Sequence, residues 1–166
     1  MITVLWNRCE LYLILLLAAA ARMTRRDVWA FVHDLGDLSI ANRIKTFALF
    51  RGWPPHAREL IDNALQVYDA CRQNRNLISH AWTLSGRTDA PLMRRSKKPI
   101  DAELTAFPES VVDLRRVAKE TEGCWFRLSD LMVLLEDGGP LTLLEKLPVP
   151  ELLGTRPRTL KAPRSR

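Results

Sequence analysis

Along most of this chain apolar residues recur every three or four positions, the spacing that predicts amphipathic helices. The first stretch, residues 3–22, is dominated by Leu and Ala, with an unbroken apolar run from Leu11 to Ala21. Both residues are strong helix formers, so a first helix is expected. It is too apolar for a lone surface helix and is read as a buried segment, at a helix–helix or subunit interface. A membrane span needs about 20 apolar residues, and Arg8 is offset by Glu10 where a secretion signal would be basic. No membrane association is therefore expected, and a cytoplasmic location is.

Thr24 and Asp27 have capping-box spacing with Asp in place of Glu, and they open a short second helix. Val28, Trp29, Val32 and Leu35 form its apolar stripe, with Gly36 as its expected stop. Ile40, Ile44, Phe47 and Ala48 mark a third segment that ends near Gly52 and Trp53, before Pro54-Pro55 breaks the chain. The fourth helix has the clearest pattern, running from Ala57 through Leu60, Ile61, Ala64, Leu65, Tyr68, Cys71 and Ile78 to Trp82. Residues 83–107 lose this period and contain Gly86, Pro91 and Pro99, which predicts a loop or short hairpin. A last long helix is expected from Pro108 or Glu109, with Gly123 marking a kink or close packing, and Gly138-Gly139-Pro140 ending it.

The expected fold is thus all-α: an up-and-down bundle of four to five helices over residues 1–138. Residues 139–166 read as a Pro- and Arg-rich tail, loosely attached or disordered, docking at most through Leu143, Leu144 and Leu147. At 166 residues and 47% apolar content, the chain is one globular domain rather than a disordered segment. Cys9, Cys71 and Cys124 are odd in number and far apart, so free buried thiols are expected rather than disulfides. Trp29, Trp53, Trp82 and Trp125 could stack on bases, but at helical spacing among Leu and Val they read as core.

The net charge of +6 is uneven. Residues 155–166 contribute +5 and residues 86–98 contribute +4, through Arg87, Arg94, Arg95, Lys97 and Lys98 against Asp89; the rest sums to −3. Two basic appendages on a slightly acidic body are the electrostatic footprint of a chain that meets phosphates. Phosphate-loop, dinucleotide-turn, nucleophile-elbow and zinc-protease motifs are all lacking. His33, His56 and His80 match no zinc spacing, so neither a metal nor another cofactor is expected.

The most informative stretch is Arg72-Gln73-Asn74-Arg75-Asn76-Leu77-Ile78-Ser79-His80-Ala81-Trp82. At about 100° per residue, Asn76 and His80 share a helix face while Arg75 lies roughly 140° from His80. Arg75 and His80 would converge on one substrate only through a distorted helix end or a second subunit. Histidine titrates near neutrality and serves as base or acid. Arginine stays charged and matches phosphate oxygens. The pair therefore suits RNA cleavage by 2′-hydroxyl attack. Capping of helix-end carbonyls by Arg75 is the ordinary structural alternative.

Arg75-Asn76-Leu77-Ile78-Ser79-His80 resembles the R-N-x-x-x-H signature of the HEPN superfamily, whose all-helical members carry it after a long helix. The resemblance implies a homodimeric, metal-independent endoribonuclease, with the Arg and His of both subunits lining a composite cleft. It makes Arg75 the phosphate-binding cation, His80 the general acid/base and Asn76 a supporting polar residue. Arg72, Ser79, Arg94, Arg95, Lys97 and Lys98 are then candidate substrate-binding residues. A toxin or defence effector, with a neutralising antitoxin as partner, is the implied context. A non-catalytic helical dimerisation or ligand-binding module is the alternative within the same fold.

Overall fold

The computed structural model describes residues 1–79, 82–83, 92–95, 104–107, 111–139, 141, 144–153 and 158–159. The fold is an all-α bundle of five helices: α1 Ile2–Ala21, α2 Arg25–Val32, α3 Asp37–Phe50, α4 Pro55–Ser79 and α5 Val111–Asp137. Four short strands form a small antiparallel sheet: β1 Trp82–Thr83, β2 Leu92–Arg95, β3 Leu104–Phe107 and β4 Arg158–Thr159, in the order β1-β2-β3-β4. β2 and β3 make the expected hairpin, pairing Leu92 with Phe107 and Arg95 with Leu104.

Helix α1 is the centre of the bundle and packs against all four other helices. Trp6, Cys9, Leu13, Leu16, Leu17 and Ala20 are closed off from solvent, and Leu15 and Ala18 are buried beside them. That breadth of burial explains why the helix could be apolar on nearly every side. By length and composition it would also suffice to cross a membrane; 39% of its apolar window is buried here, and Val4 and Leu11 are exposed. The rings of Trp6 and Tyr68 meet at 4.8 Å and 35°, and Trp6 Nε1 donates to Glu10 Oε1. Burial raises the Tyr68 hydroxyl pKa far above its ordinary value, and the Asp37 charge adds to the effect.

Local signals account for the helix ends. Thr24 Oγ1 accepts from the Asp27 N–H at 3.2 Å, so the modified capping box does cap α2. Gly36, expected as a stop, is instead the N-cap of α3, and α2 ends earlier at Val32. Trp29 is a second correction: it is about half exposed (49%) because α2 is a short helix that buries only Val28 and Val32. Trp82 is a third, since α4 stops at Ser79 and Trp82 lies in β1. Around Gly123 a Cβ would meet nothing within 4 Å, so close packing does not require glycine there. The thiols of Cys9, Cys71 and Cys124 are free and buried, as expected. Hydrogen bonding with the Cys71 and Cys9 thiols, and then burial, raise the pKa of Cys124 well above its usual range.

The expectation of a loosely attached tail does not hold for residues 144–153, which are strapped along α4. Asn63 Nδ2 donates to the Leu147 carbonyl at 2.9 Å, and the Leu147 N–H donates to Asn63 Oδ1 at 2.8 Å. One step along, Asn74 Nδ2 donates to the Glu151 carbonyl at 3.0 Å, and Leu153 N–H donates to Asn74 Oδ1 at 2.7 Å. Asn63 and Asn74 are eleven positions apart, which on a helix is about 16 Å of rise and a nearly unchanged face. On the strap the contacts of Asn63 and Asn74 are four and six positions apart, from Leu147 to Glu151 and Leu153. Two carboxamides on one helix face thus hold the strap alongside α4, running in the same direction. Lys146 adds an exposed ion pair to Glu59 at 2.8 Å. Leu143 falls outside the described residues.

Candidate functional site

The last two turns of α4 carry the basic residues singled out from the sequence. Cations near a helix C-terminus complement its partial negative charge, so Arg72 and Arg75 are electrostatically well placed. Arg72 is tied to its own helix: Nε and Nη2 both donate to Asp69 Oδ1, at 3.0 and 2.7 Å. Gln73 takes the other oxygen of the same carboxylate at 2.9 Å. Arg72 is thus neutralised by Asp69, and its expected substrate contact would have to displace that pair.

Arg75 is half-buried. Its Nη1 donates to Asn76 Oδ1 at 2.9 Å, and its guanidinium carbon lies 5.6 Å from the centroid of the Trp6 ring. That distance is within cation–π range. Nε is buried and has no hydrogen-bond partner among the described residues. The guanidinium is therefore oriented by two neighbours, an amide oxygen on one side and an indole behind. Asn76 accepts from Arg75, its immediate chain neighbour. Ser79 is exposed as the last residue of α4, and the bond of Arg75 goes to Asn76.

His80, Lys97 and Lys98 lie outside the described residues. Arg94 and Arg95 sit on β2 at the register positions opposite Thr105 and Leu104. The structure thus places Arg75, Asn76 and Ser79 together at the end of α4 and the two arginines on the strand paired with β1, the strand closest in sequence to that end.

Asn74 is the residue that pattern reading passed over. It is 1% exposed and uses both ends of its carboxamide on the strap. A polar residue inside an apolar stripe was the available signal, since buried amides are normally satisfied. The strap also brings Leu153 against Leu77, Ile78 and Leu114, beneath the Arg75–Ser79 segment. Arg116 on α5 pairs with Glu120 at 2.8 Å and reaches the Glu151 carbonyl at 3.4 Å.

No three His, Cys, Asp or Glu residues gather into a metal-binding group among the described residues. Compared with known proteins, the chain matches no family model, no curated protein and no solved structure. The class the fold itself defines is an all-α bundle in which a strand segment of basic sequence follows the 25-residue helix α4.

Proposed function

We propose that the chain is a HEPN-like endoribonuclease that acts as a homodimer in the cytoplasm, with RNA as substrate and no metal in the reaction. The observation that supports this most is the setting of Arg75. It stands at the end of a 25-residue helix, oriented by Asn76 and Trp6, in a six-residue string that ends in His80. Oriented guanidiniums bind phosphoryl oxygens through geometry as well as charge.

In the proposed reaction one His80 removes the ribose 2′-hydroxyl proton. The 2′-oxygen attacks the adjacent phosphorus, and the bond to the 5′-oxygen breaks. The partner subunit's His80 gives a proton to that leaving oxygen, and Arg75 compensates the charge on the non-bridging oxygens. The products are a 2′,3′-cyclic phosphate and a 5′-hydroxyl. Arg94, Arg95, Lys97 and Lys98 would follow the RNA backbone, which makes binding salt-dependent. A neutralising antitoxin is the corresponding partner.

One observation favours the second reading, a non-catalytic dimerisation or ligand-binding module. Arg72 and Arg75 are both engaged within the fold, with Asp69 and with Asn76 and Trp6. Labelled RNA incubated with the protein in EDTA separates the readings. The nuclease loses about 10²-fold or more in rate on His80→Ala, the scale of general acid–base catalysis. The module cleaves nothing, and cleavage at an unchanged rate without His80 would contradict the proposed mechanism.

A further inference from the structure

A cavity of about 350 Å³ opens at the opposite end of α4. His56, in its first turn, is nineteen positions from Arg75, or about 28 Å along the helix. Its volume is in the range of small-molecule sites, which are typically apolar with a few convergent polar groups. Leu135 and Leu141 line it with Trp53, while Arg22, Arg51 and His56 stand around it, and among the described residues no carboxylate contributes to the lining.

Neither guanidinium forms an ion pair with an acid among the described residues, and His56 adds only a minor attraction to Glu59. Arg51 donates Nη2 to the Ala21 carbonyl at 2.7 Å, which leaves other guanidinium donors to spare. The acid one turn from His56 is Glu59, and Lys146 already holds it at 2.8 Å. The Arg22 guanidinium has no hydrogen-bonding or ionic partner among the described residues, while its backbone N–H donates to the Ala19 carbonyl at 3.2 Å.

Arg22 also carries an independent mark. It closes α1 in the left-handed region, at φ 54° and ψ 41°, and is the single described non-glycine residue with positive φ. Gly52 and Gly138 do the same work at φ 64° and 67°. The Met23 N–H reaches the Ala18 carbonyl at 2.9 Å across Arg22, a closure that glycine makes without strain. An arginine there retains backbone strain and sets a cation at the cavity mouth.

The helix ends weaken the field without reversing it. The C-termini of α1, α3 and α5 meet here, each with roughly half a negative charge, and the α4 N-terminus adds roughly half a positive one. Two guanidiniums exceed that sum. Pro54 at the α4 N-cap has no side-chain acceptor, so the helix end is not capped from within.

We infer that this cavity binds a small amphiphilic anion, a single carboxylate on a compact hydrocarbon body. The carboxylate meets Arg22, Arg51 and His56, and the hydrocarbon lies against Trp53 and the leucines. The site is separate from the proposed nuclease centre and does not depend on it.

Octanoate and octylammonium, with the same chain and opposite charge, are titrated into the full chain. Amide shifts at Gly138 and Gly139 report binding. Octanoate is expected to shift both saturably, and octylammonium is not. Arg22→Gly is expected to weaken octanoate about tenfold or more with an unchanged or higher melting temperature, and His56→Gln to weaken it less. Absence of octanoate shifts at these glycines would overturn the inference, as would equal binding of octylammonium. So would wild-type affinity in folded Arg22→Gly.

Discussion

The two ends of α4 use basic residues in opposite ways. At the C-terminal end Arg72 is matched to Asp69 and Arg75 is pinned between Asn76 and Trp6. At the N-terminal end Arg22 and His56 border an apolar cavity with no acid in its walls among the described residues. The first arrangement fixes a cation's position before any substrate arrives, and fixed donors lose little entropy when charge develops against them. The second leaves charge to be met by something outside the chain. A cluster of Arg and His in sequence therefore does not say which role it has; the partners already supplied by the fold do.

The largest effect expected from breaking this contrast is at Trp6, the backstop of Arg75. Trp6→Ala removes a fully buried ring that also packs on Tyr68, and should cost about 3–5 kcal/mol in urea unfolding. A loss under about 1 kcal/mol would mean that Arg75 is not held from behind.

Next is Asn74, which joins the strap to the same end of the helix. Asn74→Ala leaves the Leu153 N–H without its partner and the Glu151 carbonyl with only the longer bond from Arg116, at a cost of about 1–3 kcal/mol. Hydrogen exchange should rise at residue 153 and its strap neighbours while the amides of α1 stay protected. Uniform exchange across the molecule would refute local strapping.

Arg72→Ala should matter less. The Arg72–Asp69 pair is partly exposed, with side chains 24% and 38% accessible, and such pairs contribute about 0–1 kcal/mol. Its value is as a discriminator: stability should barely change, so any drop in RNA cleavage reports substrate binding.

The smallest effect is titration of the strap's outer tie. Hydrogen bonding and charge from Lys146 hold the Glu59 carboxyl below its usual value. A lowered folded pKa contributes stability above the unfolded carboxylate range, and that contribution is lost as pH falls through the folded value. Amide shifts at Lys146 should follow this acid titration and vanish in Glu59→Gln.

The helices were largely legible because their signals are local. Spacing located α1, α4 and α5 to within a few residues, and Thr24 with Asp27 marked the start of α2. The misses concern partners that spacing does not encode. Gly36 has no side chain and can end one helix or begin the next. Trp29 fits an apolar stripe by phase, but nothing in an eight-residue helix says that no neighbour will cover it. The strap was hidden because its backbone is held by two asparagines more than 70 positions away. Arg75 and Asn76 were legible as a pair, whereas the Trp6 contact depends on α1 lying beside α4. The cavity was invisible for the same reason, since Arg22, His56 and Leu135 meet only through the closure of three helices.

The claim that the α4 terminus cleaves RNA is tested most directly by the 3′ ends of its products. Mass spectrometry of a defined oligoribonucleotide after incubation with the chelated protein should find 2′,3′-cyclic phosphates, and the same substrate should remain whole with Arg75→Ala or His80→Ala. Recovery of intact oligonucleotide from the unaltered protein, or of 3′-hydroxyl ends, would contradict the assignment.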